Sequence, residues 1–337
     1  MKVFQVEDAW TMANLRLGVQ PEPQAGPGQV RLRMTAAALN ARDRLIPVRG
    51  YGARMKALPL IMLCDGVGVI DQLGAGVNDS RVGDRVCPLF YQSWQSGPPT
   101  PGRMAHSLGC EIDGTMAEWM VLPTGGVMPA PAHLSDLEAA TLPTAGVTAW
   151  RALVTEGRVS AGDTVLVQGT GGVSVFALQF AKLLGAFVIV TSSSDAKLAR
   201  ARELGADAVI NYRTTPEWGR QARAIVGGDG VDHVVEVGGQ ATLPQSLRAI
   251  RPGGTISLIG VLSGSTLDVN LGLVVTRHVR LQGITVGNRD DFGAMTRAIA
   301  FSGLHPVVDR VWAFEELPAA LDYLGTGQHF GKLCIRY

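Results

Sequence analysis

The chain is short of charge, and what it has is balanced. Charged residues make up 18% of the sequence, 30 basic against 29 acidic, for a formal net charge of +1. No Lys/Arg tract stands out, which argues against nucleic acid and anionic membrane as partners, since both are held by clustered positive charge. Apolar runs long enough to span a bilayer are missing. Met1 to Val6 alternates like a strand and lacks the apolar stretch of a signal peptide, so a soluble, cytoplasmic protein is expected. Cysteine is scarce. Cys64, Cys87, Cys110 and Cys334 lie far apart with no C-x-x-C pair, and free thiols are expected rather than disulfides.

What is plentiful is apolar side chain and glycine. Hydrophobic residues reach 46% of 337 residues, enough for large cores, and the length suits two domains. The 42 glycines recur at turns rather than in one low-complexity block.

The first third reads as strands. Gln29 to Met34 alternates with period two after the Pro27-Gly28 turn, and Gly66 to Ile70 is a second strand signal before Gly74-Ala75-Gly76. Another strand is expected over Arg85 to Phe90. The Pro-, Gly- and Ser-rich stretch from Tyr91 to Gly109 reads as a long surface or active-site loop. The middle changes period. Thr164 to Gln168 is a continuous apolar strand of the kind buried on both faces of a parallel sheet. A helix to Leu184 follows, closed by Gly185, then a strand over Phe187 to Thr191. A helix over Lys197 to Leu204 comes next, capped by Ser194 or Asp195 and stopped by Gly205. Ala208 to Ile210, Val231 to Val237 and Thr255 to Gly260 continue the alternation. Strand and helix alternating at this pitch imply an α/β, doubly wound parallel sheet.

Between the first buried strand and its helix lies Gly169-Thr170-Gly171-Gly172-Val173-Ser174. Glycine there lets the backbone turn tightly and approach a pyrophosphate, which the N–H groups and dipole of the helix N-terminus then hold. Ser174 stands at the third glycine position, still small enough for close helix–strand packing. Binders of NAD place a carboxylate at the end of the second strand, about twenty residues on. Here the chain reads Thr191-Ser192-Ser193-Ser194, with no carboxylate before Asp195. Ser192 and Ser193 offer hydroxyls to a 2′-phosphate, Lys197 offers charge within one helical turn, and Tyr212 and Arg213 follow the third strand. NADP(H) is therefore expected over NAD(H). The plainer reading of Lys197 is a solvated helix face.

From Ala36 onward the sequence resembles the zinc-independent medium-chain dehydrogenase/reductases, near quinone oxidoreductases and alcohol-dehydrogenase-like proteins. The carriers are Asn40-Ala41-Arg42-Asp43, Asp65-Gly66-Val67-Gly68, Val82-Gly83-Asp84-Arg85-Val86, Gly114-Thr115-Met116-Ala117-Glu118 and Ala140-Thr141-Leu142-Pro143. They continue through Thr148-Ala149-Trp150, the glycine loop, Leu204-Gly205-Ala206-Asp207, Val209-Ile210-Asn211-Tyr212 and Phe330-Gly331-Lys332. The resemblance implies a Rossmann-type domain over 131–288, inserted in a mainly β, GroES-like catalytic domain made of 1–130 and 289–337. It also implies a homodimer through the last strand of the nucleotide domain, around Arg280 to Val286. Zinc-dependent relatives carry Cys, His-Glu and Cys around a catalytic metal. Here Asn40, Cys64-Asp65 and Thr144 stand at those places, and the four-cysteine structural lobe is missing. The six histidines, His106, His133, His233, His278, His305 and His329, form no i,i+4 pair, so no zinc is expected.

The expected activity is hydride transfer between a nicotinamide and a small-molecule acceptor: a carbonyl/alcohol pair, or an activated quinone or enone C=C bond. By resemblance Thr148 touches the nicotinamide. Val237, Gly238, Gly260, Val261 and Leu262 follow parallel strands and face the dinucleotide crevice. On the substrate side the candidates are Asn40, Tyr51 and Tyr91 as polar donors, with Phe90 and Trp94 as walls. The plainer readings are that Asn40 holds its own loop, Tyr51 sits in a surface turn, and Tyr91 anchors the long loop. Arg42 and Asp43 are expected to form a structural ion pair, with Asp65 fastening a loop. Substrate choice is expected to lie in Tyr91–Gly109 and around Leu262–Leu273. The competing functional reading is a catalytically idle dinucleotide-binding sensor or structural protein.

Overall fold

Alternating burial along Gln29–Ala38, with Val30, Leu32, Met34 and Ala36 inward, makes this ten-residue strand the spine of the first sheet. The computed structural model describes residues 1–266 and 271–337. It divides into two compact units: Met1–Val147 with Asn288–Tyr337, and Thr148–Gly287. The first crossing thus falls at Val147/Thr148, later than the 130/131 expected from the sequence. The chain there runs through one helical segment, Leu142–Gly146, Val147–Trp150 and Arg151–Thr155, with no linker composition to mark it.

In the first unit Gln29–Ala38 pairs with Asp65–Leu73, Trp119–Pro123 and Lys332–Arg336, all antiparallel. The registers Ala38↔Asp65 and Cys334↔Ala38 decide the function of this sheet. They carry Asn40, Cys64-Asp65 and Lys332 to one end of it. Arg85–Pro88, Val127–Pro129 and Val308–Ala313 complete the seven strands. The strand expected to reach Phe90 stops at Pro88, as Leu89 N turns to the Gly126 carbonyl. Lys2–Val6, Leu15–Val19 and Leu60–Ile61 form a second, three-stranded sheet. Val3, Ile46, Leu60, Met62, Leu63, Leu317 and Leu321 are fully buried in the adjoining core. Each such side chain contributes about 1.5–3 kcal/mol by leaving water.

The second unit is a six-stranded parallel sheet in the order Ala208–Asn211, Phe187–Ser192, Thr164–Gln168, Val231–Glu236, Ile250–Leu258, Arg280–Gly283. This is the doubly wound order, whose direction reverses beside Thr164–Gln168. Leu166, Ile189, Ile210, Val234 and Ile256 fill the core beneath the helices. The helix Gly172–Leu183 ends on Gly185 at φ +82°, and Asp195–Glu203 ends before Gly205 at φ +97°, as their glycines predict. Among the described residues no helix is long and apolar enough to cross a membrane.

Candidate active site

Parallel strands of the second unit end on one side of the sheet, and the expected dinucleotide residues sit at five of those ends, apart from Thr148 and Lys197, which lie on helices. Gly169 takes φ +69°, a conformation that favours glycine, and its N–H donates to Thr191 O at 2.8 Å. The glycine loop is thereby tied to the serine-bearing strand. Gly171 begins the helix as its cap, with Gly172 and Val173 in the first turn, half-buried, and Thr170 buried beside them. Ser174, at the third glycine position, donates its hydroxyl to Gln168 O at 2.7 Å and so pins helix to strand. A helix N-terminus over a glycine turn fits a pyrophosphate, because its first N–H groups have no partner within the helix.

At the next strand end Ser192 is buried, Ser193 half-buried, and Ser192 Oγ accepts from Ser194 N at 3.3 Å. Ser194, rather than Asp195, caps the following helix by accepting from Lys197 N at 3.4 Å. Asp195 instead accepts from Asn211 Nδ2 at 2.7 Å, so the first carboxylate after this strand already has a partner. Tyr212, 42% exposed, is held beside the serines by its N–H on Ser192 O at 3.1 Å. Lys197 lies half-buried on the first helical turn.

Glu236 organises the third cluster and was not foreseen. Its fully buried carboxylate accepts from Gly238 N, Gly239 N and Thr242 Oγ1 on Oε1, and from Gln168 Nε2 and Ser246 Oγ on Oε2. Val237 N donates to Gln168 Oε1 at 3.3 Å. The loop at Val237–Gly239 is laced to the next one by Ser263 N on Gly238 O at 2.8 Å. Gly260 sits against Val237, where an added Cβ would meet Val237 O at 2.2 Å. Val261 and Leu262 project beyond it, 60% and 72% exposed. Thr148 is buried, its Oγ1 3.5 Å from Thr285 O. The signal for Glu236 was present in the sequence: a carboxylate directly after Val234-Val235 at a strand end, just before Gly238-Gly239.

The first unit gathers a polar cluster at the sheet end described above. Asn40 Nδ2 donates to Asp65 Oδ2 at 2.8 Å and lies 3.6 Å from Cys64 Sγ, which in turn is 3.6 Å from Thr144 Oγ1. Lys332, 3% exposed at its side chain, donates to Asn40 Oδ1 at 2.7 Å, to Leu39 O at 2.5 Å and to Asp65 Oδ2 at 3.4 Å. Burial pushes the Cys64 thiol up to about 12 despite the opposing field of Arg42. Burial also raises Asp65, with Lys332 pulling the other way.

Arg42 and Asp43 do not form the expected ion pair. Asp43 turns inward, where its Oδ2 accepts from Asn40 N at 2.7 Å and burial lifts its pKa to about 6. Its Oδ1 is buried without a hydrogen-bond partner. The Arg42 guanidinium instead packs over the Tyr51 and Phe90 rings, 5.2 and 4.8 Å from their centroids, and donates to Leu108 O at 3.2 Å. Burial works against its charge, yet the facing Cys64, Asp43 and Tyr51 hold its pKa above the ordinary value. Tyr51 is therefore placed over Arg42, half-buried. Tyr91 is buried, its ring edge-on to Phe90 at 4.6 Å and tilted against Trp94 at 5.9 Å. These three rings form one wall. Of the pocket segment expected around Leu262–Leu273, residues 267–270 lie outside the described residues.

Comparison with known proteins follows this geometry. Residues 26–132 match the family pattern described as "Alcohol dehydrogenase GroES-like domain", and residues 172–300 the one described as "Zinc-binding dehydrogenase". A zinc-type alcohol dehydrogenase-like protein of Schizosaccharomyces pombe is 42% identical, over 92% of this chain and 91% of its own. A 2-haloacrylate reductase of a Burkholderia species is 30% identical over 92% of this chain and 91% of its own. The crystal structure of a putative alcohol dehydrogenase from Sinorhizobium meliloti 1021 superposes with a TM-score of 0.94 at 41% identity, covering 100% of this chain and 98% of that one. The fold and sites define an oxidoreductase with a nicotinamide dinucleotide domain. The chain belongs to the alcohol-dehydrogenase-like, medium-chain dehydrogenase/reductase family.

That second family description prompts a test of zinc against the residues present. A catalytic zinc takes three protein ligands from thiolate, imidazole and carboxylate. The cluster offers one thiol whose pKa burial raises, one carboxylate whose Oδ2 is engaged by Lys332 and Asn40 and whose Oδ1 has no hydrogen-bond partner, an amide and a hydroxyl. Among the described residues no group of three or more His, Cys, Asp or Glu is arranged to hold a metal. The residues do not fit the metal.

Proposed function

We propose that this protein is an NADP(H)-dependent, zinc-independent oxidoreductase that reduces small carbonyl or conjugated acceptors. The observation that carries the zinc-free part is the donor set of this cluster: one thiol whose pKa burial raises, one carboxylate whose Oδ2 is taken by Lys332 and Asn40, an amide and a hydroxyl. Support for the coenzyme preference comes from the second strand end. Ser192 and Ser193 stand there with Lys197 one turn on, and Asp195 is drawn away by Asn211. The first carboxylate after this strand, Asp195, is turned to Asn211 through Oδ1, while a 2′-phosphate would meet hydroxyl donors and a cation here.

When bound, the nicotinamide supplies a hydride. The chain's residues do the remaining work. The first-turn N–H groups at Gly171–Val173 bind the pyrophosphate, and the Glu236-braced loops at Val237–Gly238 and Gly260–Leu262 shape the nucleotide side. Lys332 holds Asn40, whose amide N–H donates to Asp65, and the Phe90, Tyr91 and Trp94 rings supply an apolar wall. The 2-haloacrylate reductase relative supports conjugated acceptors as a class to screen. We also infer a homodimer through Arg280–Gly283, which closes one edge of the parallel sheet with its outer side uncovered among the described strands.

The test is a parallel fluorescence titration of metal-stripped protein with NADPH and NADH. NADPH binding at least about tenfold tighter is expected, with chelator leaving turnover intact. Tighter NADH would refute the serine pocket, activity restored only by zinc would refute the metal-free reading, and no binding of either coenzyme would refute both.

A further inference from the structure

One edge of Gln29–Ala38 is shared by two strands, while Asp65–Leu73 takes the other edge. Trp119–Pro123 covers the shared edge from Gln29 to Arg33, and Lys332–Arg336 covers it from Ala36 to Ala38, both antiparallel. The two strands therefore meet end to end, and their facing ends, Trp119 and Arg336, leave a break in the sheet beside Met34 and Thr35. Met34 N donates to Glu118 O at 2.9 Å and Tyr337 N to Thr35 O at 3.2 Å, which holds both ends in place. A cavity of about 610 Å³ opens at this break, lined wholly by residues of the first unit. Its size falls within the ~300–1,000 Å³ of sites for small organic ligands.

Three rings line the cavity, and each is fixed by a neighbour. Trp312 and Phe314 are buried, Trp312 tilted against Tyr323 at 5.4 Å and Phe314 edge-on to Tyr337 at 4.9 Å. Trp119 is half-buried, its indole N–H donating to Asp71 Oδ2 at 2.9 Å. Rings held in this way offer a ligand apolar surface without having to be ordered first.

The cations around these rings are of two kinds. Lys2 is taken: its ammonium pairs with Glu315 at 2.8 Å, and its N–H donates to Glu118 Oε2 at 2.6 Å. Both carboxylates that line the cavity are thus engaged through one oxygen each. Arg33 and Arg336 are different. Both are exposed, and neither guanidinium makes a hydrogen bond or an ion pair among the described residues. Arg31, two residues earlier on the same strand, marks the contrast, since it pairs with Asp71 at 2.8 Å.

We propose that this cavity is a binding site for an aromatic carboxylate. Arg33 and Arg336 supply the charge, and the planar fork of a guanidinium pairs with carboxylate oxygens through two N–H groups at once. The arene lies against Trp119, Trp312 and Phe314. Binding is non-covalent, and the ligand joins the two strand ends that the backbone leaves apart. A small inorganic anion would meet the arginines but leave the rings unused; an uncharged arene would do the reverse.

The test uses the full-length protein and 2-naphthoate, with 2-naphthalenemethanol as its uncharged counterpart and inorganic phosphate as an anion without rings. Calorimetric titration is expected to show naphthoate binding at least about tenfold more tightly than either control, with an affinity that falls as salt is raised. Arg33→Gln and Arg336→Gln are each expected to weaken naphthoate about tenfold and to leave the alcohol unchanged. Both side chains are exposed, so both variants are expected to fold, which melting curves establish. If either does not, Arg33→Lys and Arg336→Lys, which keep the charge and lose the fork, carry the comparison. Unchanged naphthoate affinity in either folded variant overturns the proposal, and so does a wild type that binds no naphthoate at millimolar concentration. The alcohol matching naphthoate would remove the arginines from the site, and phosphate matching it would remove the rings; either result overturns the ligand class.

Discussion

Lys332 Nζ donates to Asn40 Oδ1 at 2.7 Å across 292 residues of sequence, and the same ammonium lies 3.4 Å from Asp65 Oδ2. One buried cation thus orients the amide and balances the carboxylate beside it. The arrangement follows from strand register: Cys334 opposite Ala38 brings Lys332 beside Asn40, and Ala38 opposite Asp65 brings the carboxylate to the same end.

Removing that cation leaves Asp65 buried and uncompensated. Lys332→Met is expected to lower stability by about 3–5 kcal/mol, read by urea unfolding at pH 7. Adding Asp65→Asn to it is expected to recover a large part of the loss, because the pair then disappears together. A loss under about 1 kcal/mol for Lys332→Met alone would mean that Asp65 is already protonated there.

Gly169 carries the turn into the glycine loop at φ +69°, and an added Cβ there would meet only Ser174 Oγ at 4.0 Å. Space is not the obstacle; the backbone is. Gly169→Ala is therefore expected to keep the fold at a loss of about 1–2 kcal/mol while shifting the loop and weakening NADPH binding about tenfold or more. Calorimetry and the coenzyme titration separate the two effects, and unchanged affinity would remove Gly169 from the pyrophosphate cradle.

How much of this was legible depends on how local each feature is. The glycine loop and its helix are written in consecutive residues, so the turn between strand and helix was placed correctly, although the helix already begins at Gly172 and takes in Val173 and Ser174. Arg42 and Asp43 misled because adjacent opposite charges suggest a pair. In the tight turn Ala41–Arg44 successive side chains point roughly 120° apart, so one faces the core and the other the rings. Lys332 was readable only as part of Phe330-Gly331-Lys332, since its partners depend on a register between distant strands. The crossing at Val147/Thr148 left no mark either, because it occurs inside a helical run rather than at a Pro/Gly-rich linker.

Glu236 is expected to be as sensitive as the glycine loop. Its carboxylate satisfies five donors, among them the N–H groups of Gly238 and Gly239. Glu236→Gln turns one oxygen into a donor facing donors, leaving buried groups unsatisfied at a loss of about 1–3 kcal/mol or more. Because the proposed nucleotide site uses the same loops, NADPH affinity should fall with it. A variant of wild-type stability in chemical denaturation would show that these loops hold their shape unaided.

Acid response offers a test in each unit separately. His233 in the second unit is buried, its Nε2 3.1 Å from Ser257 Oγ, and burial, helped by Arg280, lowers its pKa to about 4. The unfolded chain takes up this proton near pH 6.5 and the folded protein only near 4, so His233 contributes stability above that window and loses it as pH falls through it. A shift of about 2.5 units corresponds to roughly 3 kcal/mol. Asp43 in the first unit works the other way. Its pKa is raised to about 6, so the folded protein holds the proton more tightly, and its contribution is present at low pH and lost as pH rises from about 4 to 6. Melting temperatures followed from pH 7 to 4 should therefore separate the two. His233→Gln is expected to lose less stability on acidification than the wild type, and Asp43→Asn to lose more. Parallel profiles for His233→Gln and the wild type would mean that the folded protein accommodates a charged imidazole at Ser257 without penalty.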